Sequence, residues 1–294
     1  MDGCLINAAL KGVLEGFTEF LPISSTGHLI LVRDWLPLCA DPERQQRLAE
    51  LFDVVIQFPA ILAIVALYRR RLWEAAQRTW APEDQAARSQ ARRFWLGLAA
   101  AFVPVAVLGK LFHSAIEARL ESALPVACAL LVGGVILIFI EKFLEAGAVE
   151  KAEAAPLLKA LGIGCLQCLA LLPGTSRSAA CIIGGRALGL TRTAAAEYSF
   201  FLAVPTLGAA AGYKFLQALL ASHGATAGAA RFAFDWAADG PVLLVGSLTS
   251  FLTAWAVVAL FLRYLQKHSL AAFGWYRIAL SAVVLLAFWR GWIR

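Results

Sequence analysis

The chain has 294 residues, of which 60% are hydrophobic and 16% charged, with a formal net charge of +6 and a mean hydropathy of +0.71. Soluble domains carry about 25% charged residues, so a water-soluble enzyme is excluded and the apolar surplus has to face lipid. The positive charge needs no nucleic acid to explain it, because Lys and Arg gather in the connections between apolar runs, as the positive-inside bias predicts.

In chain order, the first residues, Met1 to Cys4, show no basic stretch and no small-residue cleavage site, so no removable signal peptide is expected. Residues 3–37 are apolar but broken in the middle by a polar segment running from Glu15 to His28. Six apolar segments long enough to cross a bilayer follow, near 51–68, 94–112, 123–141, 197–218, 241–262 and 273–290. Between the third and fourth lies a second interrupted region, 157–192, broken at Pro173-Gly174-Thr175-Ser176-Arg177-Ser178. The predicted class is therefore all-α: a polytopic membrane protein with six transmembrane helices and two re-entrant helical hairpins.

The loops orient these spans. Residues 69–93 hold seven Arg against three acids, Glu74, Glu83 and Asp84, the strongest cytoplasmic signal in the chain. Loop 113–122 then falls outside, while 142–159 (Lys142, Lys151, Lys159) and the turn at Arg263 and Lys267 fall inside. On this count region 3–37 starts and ends outside, and region 157–192 starts and ends inside. The expected organisation is a single membrane domain, 1–294, made of two inverted repeats, 1–141 and 157–294, each a hairpin plus three spans. Leu21-Pro22-Ile23-Ser24-Ser25 echoes Leu172-Pro173-Gly174-Thr175-Ser176 across the halves, and Phe58-Pro59 echoes Val204-Pro205. Such folds build a ligand site where the broken helices meet.

The breaks carry the chemistry. Glu15 and Glu19 stand four apart on one helix face; amid apolar neighbours they are suited to sharing a proton, binding a divalent cation or acting as a general base. Pro22 stops the helix, and Ser24, Ser25 and Thr26, followed by Gly27, supply caps for the next half-helix. Gly174, Thr175, Ser176 and Ser178 repeat that design. Open N–H groups at a helix N-terminus favour phosphate, and Arg177 adds a planar fork that matches phosphate oxygens. The bland role for Arg177 is an ion pair with Glu15 or Glu19. His28 is a capping residue or a proton carrier. Glu50, Asp53 and Gln57 form a polar stripe that either packs an interface or lines the site, and Glu197 reads as a helix start. His113, His223 and His268 read as solvated loop residues. The six Cys (4, 39, 128, 165, 168, 181) read as buried structural residues; no nucleotide loop or zinc signature appears.

The run from Glu15 to His28 resembles the first signature of the undecaprenyl-pyrophosphate phosphatases linked to bacitracin resistance, and Gln167 to Ser178 resembles the second. Phe52 to Gln57, the length and the span spacing also fit, so the likeness covers nearly the whole chain. Thr175 and Ala179 depart slightly from the pattern without removing a catalytic group. The resemblance implies an enzyme of the bacterial inner membrane that removes the terminal phosphate of undecaprenyl pyrophosphate and recycles the lipid carrier of cell-wall precursors. It also implies an active site open to the periplasm, a divalent cation (magnesium or calcium) on Glu15 and Glu19, and a homodimer. Matched position by position, the nucleophile is Ser25, with Glu19, His28 and Arg177 catalytic and Ser24, Thr26, Gly27, Gly174, Thr175, Ser176 and Ser178 around the phosphates. At this stage two points stay open: whether Glu19 or His28 activates Ser25, with His28 or water as alternative nucleophile, and whether the protein is instead a polyprenyl-phosphate flippase that binds the same head group without cleaving it.

Overall fold

The computed structural model describes residues 2–33, 35–81, 84–120, 122–144, 147–222 and 236–293. Among them the regular structure is helical: α1 (Asp2–Thr18), α2 (Ser25–Val32), α3 (Pro42–Val55), α4 (Gln57–Leu67), α5 (Arg69–Trp80), α6 (Gln85–Leu120), α7 (Ala123–Phe143), α8 (Leu157–Gln167), α9 (Arg177–Ala187), α10 (Arg192–Ser222), α11 (Trp236–Leu265) and α12 (Ala271–Trp289). Five helices are long and apolar enough to span a bilayer, and a sixth span is formed if 51–67 and α5, bent by 72° at Tyr68, count as one broken span. The chain is an all-α integral membrane protein.

The spans match the expected positions, with two differences at the connections. Residues 69–93, expected as a loop, are mostly helical, because Arg, Leu, Glu, Ala and Gln are strong helix formers whatever their charge. The segment 113–122, also expected as a loop, continues α6 as far as Leu120. The interrupted regions are the pairs α1–α2 and α8–α9, each two short helices around a non-helical break.

Small residues decide how closely the helices approach. Gly12 and Gly16 of α1 lie against the backbone of α11 at Gly246 and Ser250, where a Cβ on either would collide. Gly134 of α7 and Gly274 of α12 meet the same way, since a Cβ on Gly274 would stand 2.6 Å from the Gly134 carbonyl oxygen. Lipid offers no hydrophobic drive between helices, so such close van der Waals approach does the work.

The packing partners exchange between the halves. α1 packs on α11 as α8 packs on α6; α4 packs on α11 as α6 packs on α10; α2 touches α12 as α9 touches α7. Two further pairs, α4 with α10 and α7 with α12, join equivalent positions. At one end Cys4, Leu5 and Ala8 cluster with Leu38, Leu48, Phe52 and Val242. At the opposite end lie the connections with the cytoplasmic charge signature. There Arg71 pairs with Glu153 and Glu197, Arg192 with Glu141, and Val149 bridges Leu190. Glu197 is thus the second partner of Arg71 one turn inside α10, rather than the start of a helix.

Candidate active site

Each break is made by the same local device. α1 ends at Thr18, and Pro22 and Ile23 carry the chain to Ser24, which has φ +72° and caps α2 by accepting from the Gly27 N–H at 3.4 Å. α8 ends at Gln167, a 3₁₀ turn spans Cys168–Leu171, and Ser176, with φ +70°, caps α9 by accepting from the Ala179 N–H at 3.3 Å. Among the described residues these two serines are the only non-glycine positions with positive φ. Such backbone costs about 1–3 kcal/mol and gathers at functional sites. Gly174 (φ +89°) is the one break residue whose glycine is demanded twice, since a Cβ there would also sit 2.5 Å from the Val126 carbonyl oxygen.

The breaks meet. Ser178 Oγ donates to the Leu21 carbonyl at 2.8 Å, which leaves Ser176 as donor in the 3.0 Å bond between the two serines. Ser25 Oγ donates to Glu19 Oε2 at 2.8 Å, and Arg177 Nη2 approaches Glu19 Oε1 at 3.5 Å. Arg177 is held by Nη1 donating to the Ser199 carbonyl at 2.9 Å and by the Phe20 ring, 5.8 Å from the guanidinium carbon. One carboxylate, on α1's break, therefore holds the hydroxyl of one half and the cation of the other.

His28 is turned to other partners. Its Nδ1 lies 2.7 Å from the Ser24 carbonyl and its Nε2 2.7 Å from Tyr276 Oη. A carbonyl only accepts, so Nδ1 carries a proton and donates to it, while Nε2 pairs with the Tyr276 hydroxyl. Glu19, and not His28, accepts the Ser25 hydroxyl. Thr26 is exposed, and Gly27 is buried under Leu130, which a Cβ would approach at 3.0 Å.

Glu15 is wholly buried, and among the described residues neither of its carboxylate oxygens receives a hydrogen bond. Its polar neighbours are Glu19, Asp53 and Gln57, while the buried Lys11 lies 3.8 Å from Asp53. Asp53 and Gln57 thus border the site; the Glu50 side chain lies outside the described residues, as do those of His113 and His223. Among the described residues no group of three or more His, Cys, Asp or Glu is arranged so that it could hold a metal ion by itself. Glu15, whose hard oxygens are unsatisfied among the described residues, together with Glu19 one turn on still fits a magnesium-type ion, which takes one or two protein carboxylates and completes its shell with water and substrate phosphate.

Sequence reasoning missed Lys11, Ser199, Tyr276 and Arg277. An arginine inside an apolar span is itself a signal, and Arg277 donates to backbone carbonyls of both breaks. The cysteines divide: Cys181 is buried as expected, whereas Cys128 and Cys165 are exposed on the apolar surface, and among the described residues none of the six forms a disulfide.

The family model described as "Bacitracin resistance protein BacA" matches residues 8–283. Curated relatives named undecaprenyl-diphosphatase include one from Polaromonas sp., 42% identical over 98% of this chain and 96% of the relative, and one from Sorangium cellulosum, 45% identical over 95% and 85%. A third, from Chromobacterium violaceum and named undecaprenyl-diphosphatase 1, is 42% identical over 98% and 97%. With its two breaks joined through Glu19 and nearly its whole length aligned to these relatives, the chain belongs to the bacitracin resistance protein BacA family.

Proposed function

We propose that this protein hydrolyses undecaprenyl pyrophosphate to undecaprenyl phosphate and inorganic phosphate, so returning the lipid carrier to cell-wall synthesis. The observation that carries the reading is the shared carboxylate: Ser25 Oγ and the Arg177 guanidinium converge on Glu19 from opposite halves. A binding protein needs the cation; it has no use for a serine poised on a base. The relatives' names describe a diphosphatase and lend no support to the flippase alternative.

In the mechanism, the prenyl tail lies along the lipid-facing helices and the diphosphate enters between the breaks. Arg177 and the open N–H groups at the starts of α2 and α9 draw in the phosphate oxygens and stabilise charge in the transition state. Glu19 takes the Ser25 proton as Oγ bonds to the distal phosphorus and the bond to the bridging oxygen breaks. The prenyl monophosphate departs with that electron pair and receives the proton from Glu19. Glu19 then removes a proton from water, whose oxygen attacks the phosphoserine; the Ser25–phosphorus bond breaks, Oγ is reprotonated and orthophosphate leaves. Glu15 and Glu19 would hold a divalent cation, whose charge would offset that of the phosphates. His28, tied to Ser24 and Tyr276, orients the first break.

Two inverted repeats, 1–141 and 157–294, account for the exchanged packing partners and the matched serine caps. The charge signature supports an orientation in a bacterial inner membrane with the α5 end in the cytoplasm and the site open toward the periplasm. The homodimer implied by the resemblance belongs to the same reading and is checked by the mass of the detergent-solubilised protein.

Phosphate release from undecaprenyl pyrophosphate in detergent tests the activity with no membrane to cross. Ser25→Ala is expected to lose at least about a hundredfold in kcat while remaining monodisperse. A phosphorylated Ser25 trapped by rapid acid quench would support the covalent step. No phosphate release by the wild type would end the activity reading; substantial turnover by Ser25→Ala would end the serine mechanism alone.

A further inference from the structure

Arg277 has no exposed surface, and its guanidinium is accounted for by five main-chain carbonyls. Nη1 donates to Thr175 at 2.9 Å and Pro22 at 3.4 Å, Nη2 to Gly174 and Ala129 at 3.0 Å each, and Nε to Leu130 at 3.3 Å. Among the described residues it forms no salt bridge. Its acceptors come from three places: the first break, the second break and the middle of α7.

Non-helical backbone inside a membrane protein leaves carbonyls without partners, and each one buried unbonded is costly. Only a planar cation with five N–H groups can serve three segments from one point. The same bonds polarise the peptide groups they touch. The Thr175 carbonyl shares its peptide with the Ser176 N–H, and the Pro22 carbonyl shares its own with the Ile23 N–H. A buried charge without a carboxylate partner is unfavourable until an anion arrives, and a diphosphate between the breaks is such an anion.

We propose that Arg277 is a positioning residue that locks the two breaks face to face and supplies the diphosphate site with a positive charge that no acidic side chain cancels. The proposal rests on the diphosphatase reading for its ligand class. It does not place Arg277 in contact with substrate.

The test separates the fork from the charge in the full-length protein. Arg277→Lys keeps the charge but reaches fewer carbonyls; Arg277→Gln keeps some donors and loses the charge. The Lys variant is expected to lose at least about tenfold in kcat, with inorganic pyrophosphate binding within about threefold of the unsubstituted arginine protein. The Gln variant is expected to weaken pyrophosphate binding by at least about tenfold as well. Binding is read by calorimetry in a Ser25→Ala background, so it needs no turnover, and gel filtration checks that each variant is folded. If Gln does not yield folded protein, the kcat of Lys decides. A Lys variant with wild-type kcat, or a Gln variant binding pyrophosphate as well as Lys does, overturns the proposal. Absence of phosphate release by the wild type would strike the activity reading instead and leave the pyrophosphate comparison standing.

Discussion

Glu19 serves two partners with one carboxylate, accepting the Ser25 hydroxyl on one oxygen and facing Arg177 with the other. Glu15, one helical turn earlier, has no such partner among the described residues and keeps both oxygens unbonded there. In the proposed mechanism the pair therefore divides its labour: Glu19 is the base for the serine, and Glu15 is the better candidate to hold a cation. If a divalent ion belongs here, dialysis against a chelator abolishes phosphate release and magnesium or calcium restores it. Glu15→Gln is then expected to need about tenfold more metal for half-maximal rate, since it loses one anionic oxygen donor. Glu19→Gln is expected to stay inactive at any metal concentration, because it has lost the base. Activity unaffected by exhaustive chelation would remove the cation from the mechanism. The contrast between the two glutamates was legible only in part. Their spacing of four put them on one face, but which of them meets the serine depends on how the chain turns at Pro22.

At the scale of elements, the breaks were readable because a proline followed by hydroxyls stops an apolar helix and caps the next one. What could not be read was the strained backbone at Ser24 and Ser176. Both positions combine a helix cap with a left-handed φ, so a serine stands where glycine would relax the chain. The two terms can be separated at Ser176. Ser176→Ala removes the cap and keeps the strain, an expected loss of about 1 kcal/mol. Ser176→Gly also removes the cap but relieves strain of roughly 1 kcal/mol, so its stability should stay near that of the wild type. Thermal unfolding of the two variants in detergent reads the difference, and a Gly variant less stable than the Ala variant would show that the strain argument is wrong. α5 escaped sequence reading for a different reason. Its arginines were counted as loop charge, yet Arg71 is spent on Glu153 and Glu197, and only the remainder faces outward.

For the whole molecule, the site exists because two half-sites from distant parts of the chain are pressed together. The sequence echoes predicted that meeting, but not the residues that enforce it. Arg277 marks its apolar span as unusual, but nothing in that span's periodicity says which face of α12 meets the breaks. The arrangement of the spans also has a directional consequence. Leu38 and the neighbouring Cys39 lie at the end of the molecule opposite α5, so the two ends must face different compartments. The proposed orientation, resting on the charge signature, puts α5 on the cytoplasmic side. In a variant whose other cysteines are replaced, Cys39 is expected to react with a membrane-impermeant maleimide added to spheroplasts. Arg78→Cys, made in a background that also lacks Cys39, is expected to react only after the membrane is opened, because Arg78 is exposed at the α5 end. The opposite pattern would reverse the orientation. Labelling of both from one side would break the two-ended architecture itself, since no packing of these spans can bring Cys39 and Arg78 to the same surface of the bilayer.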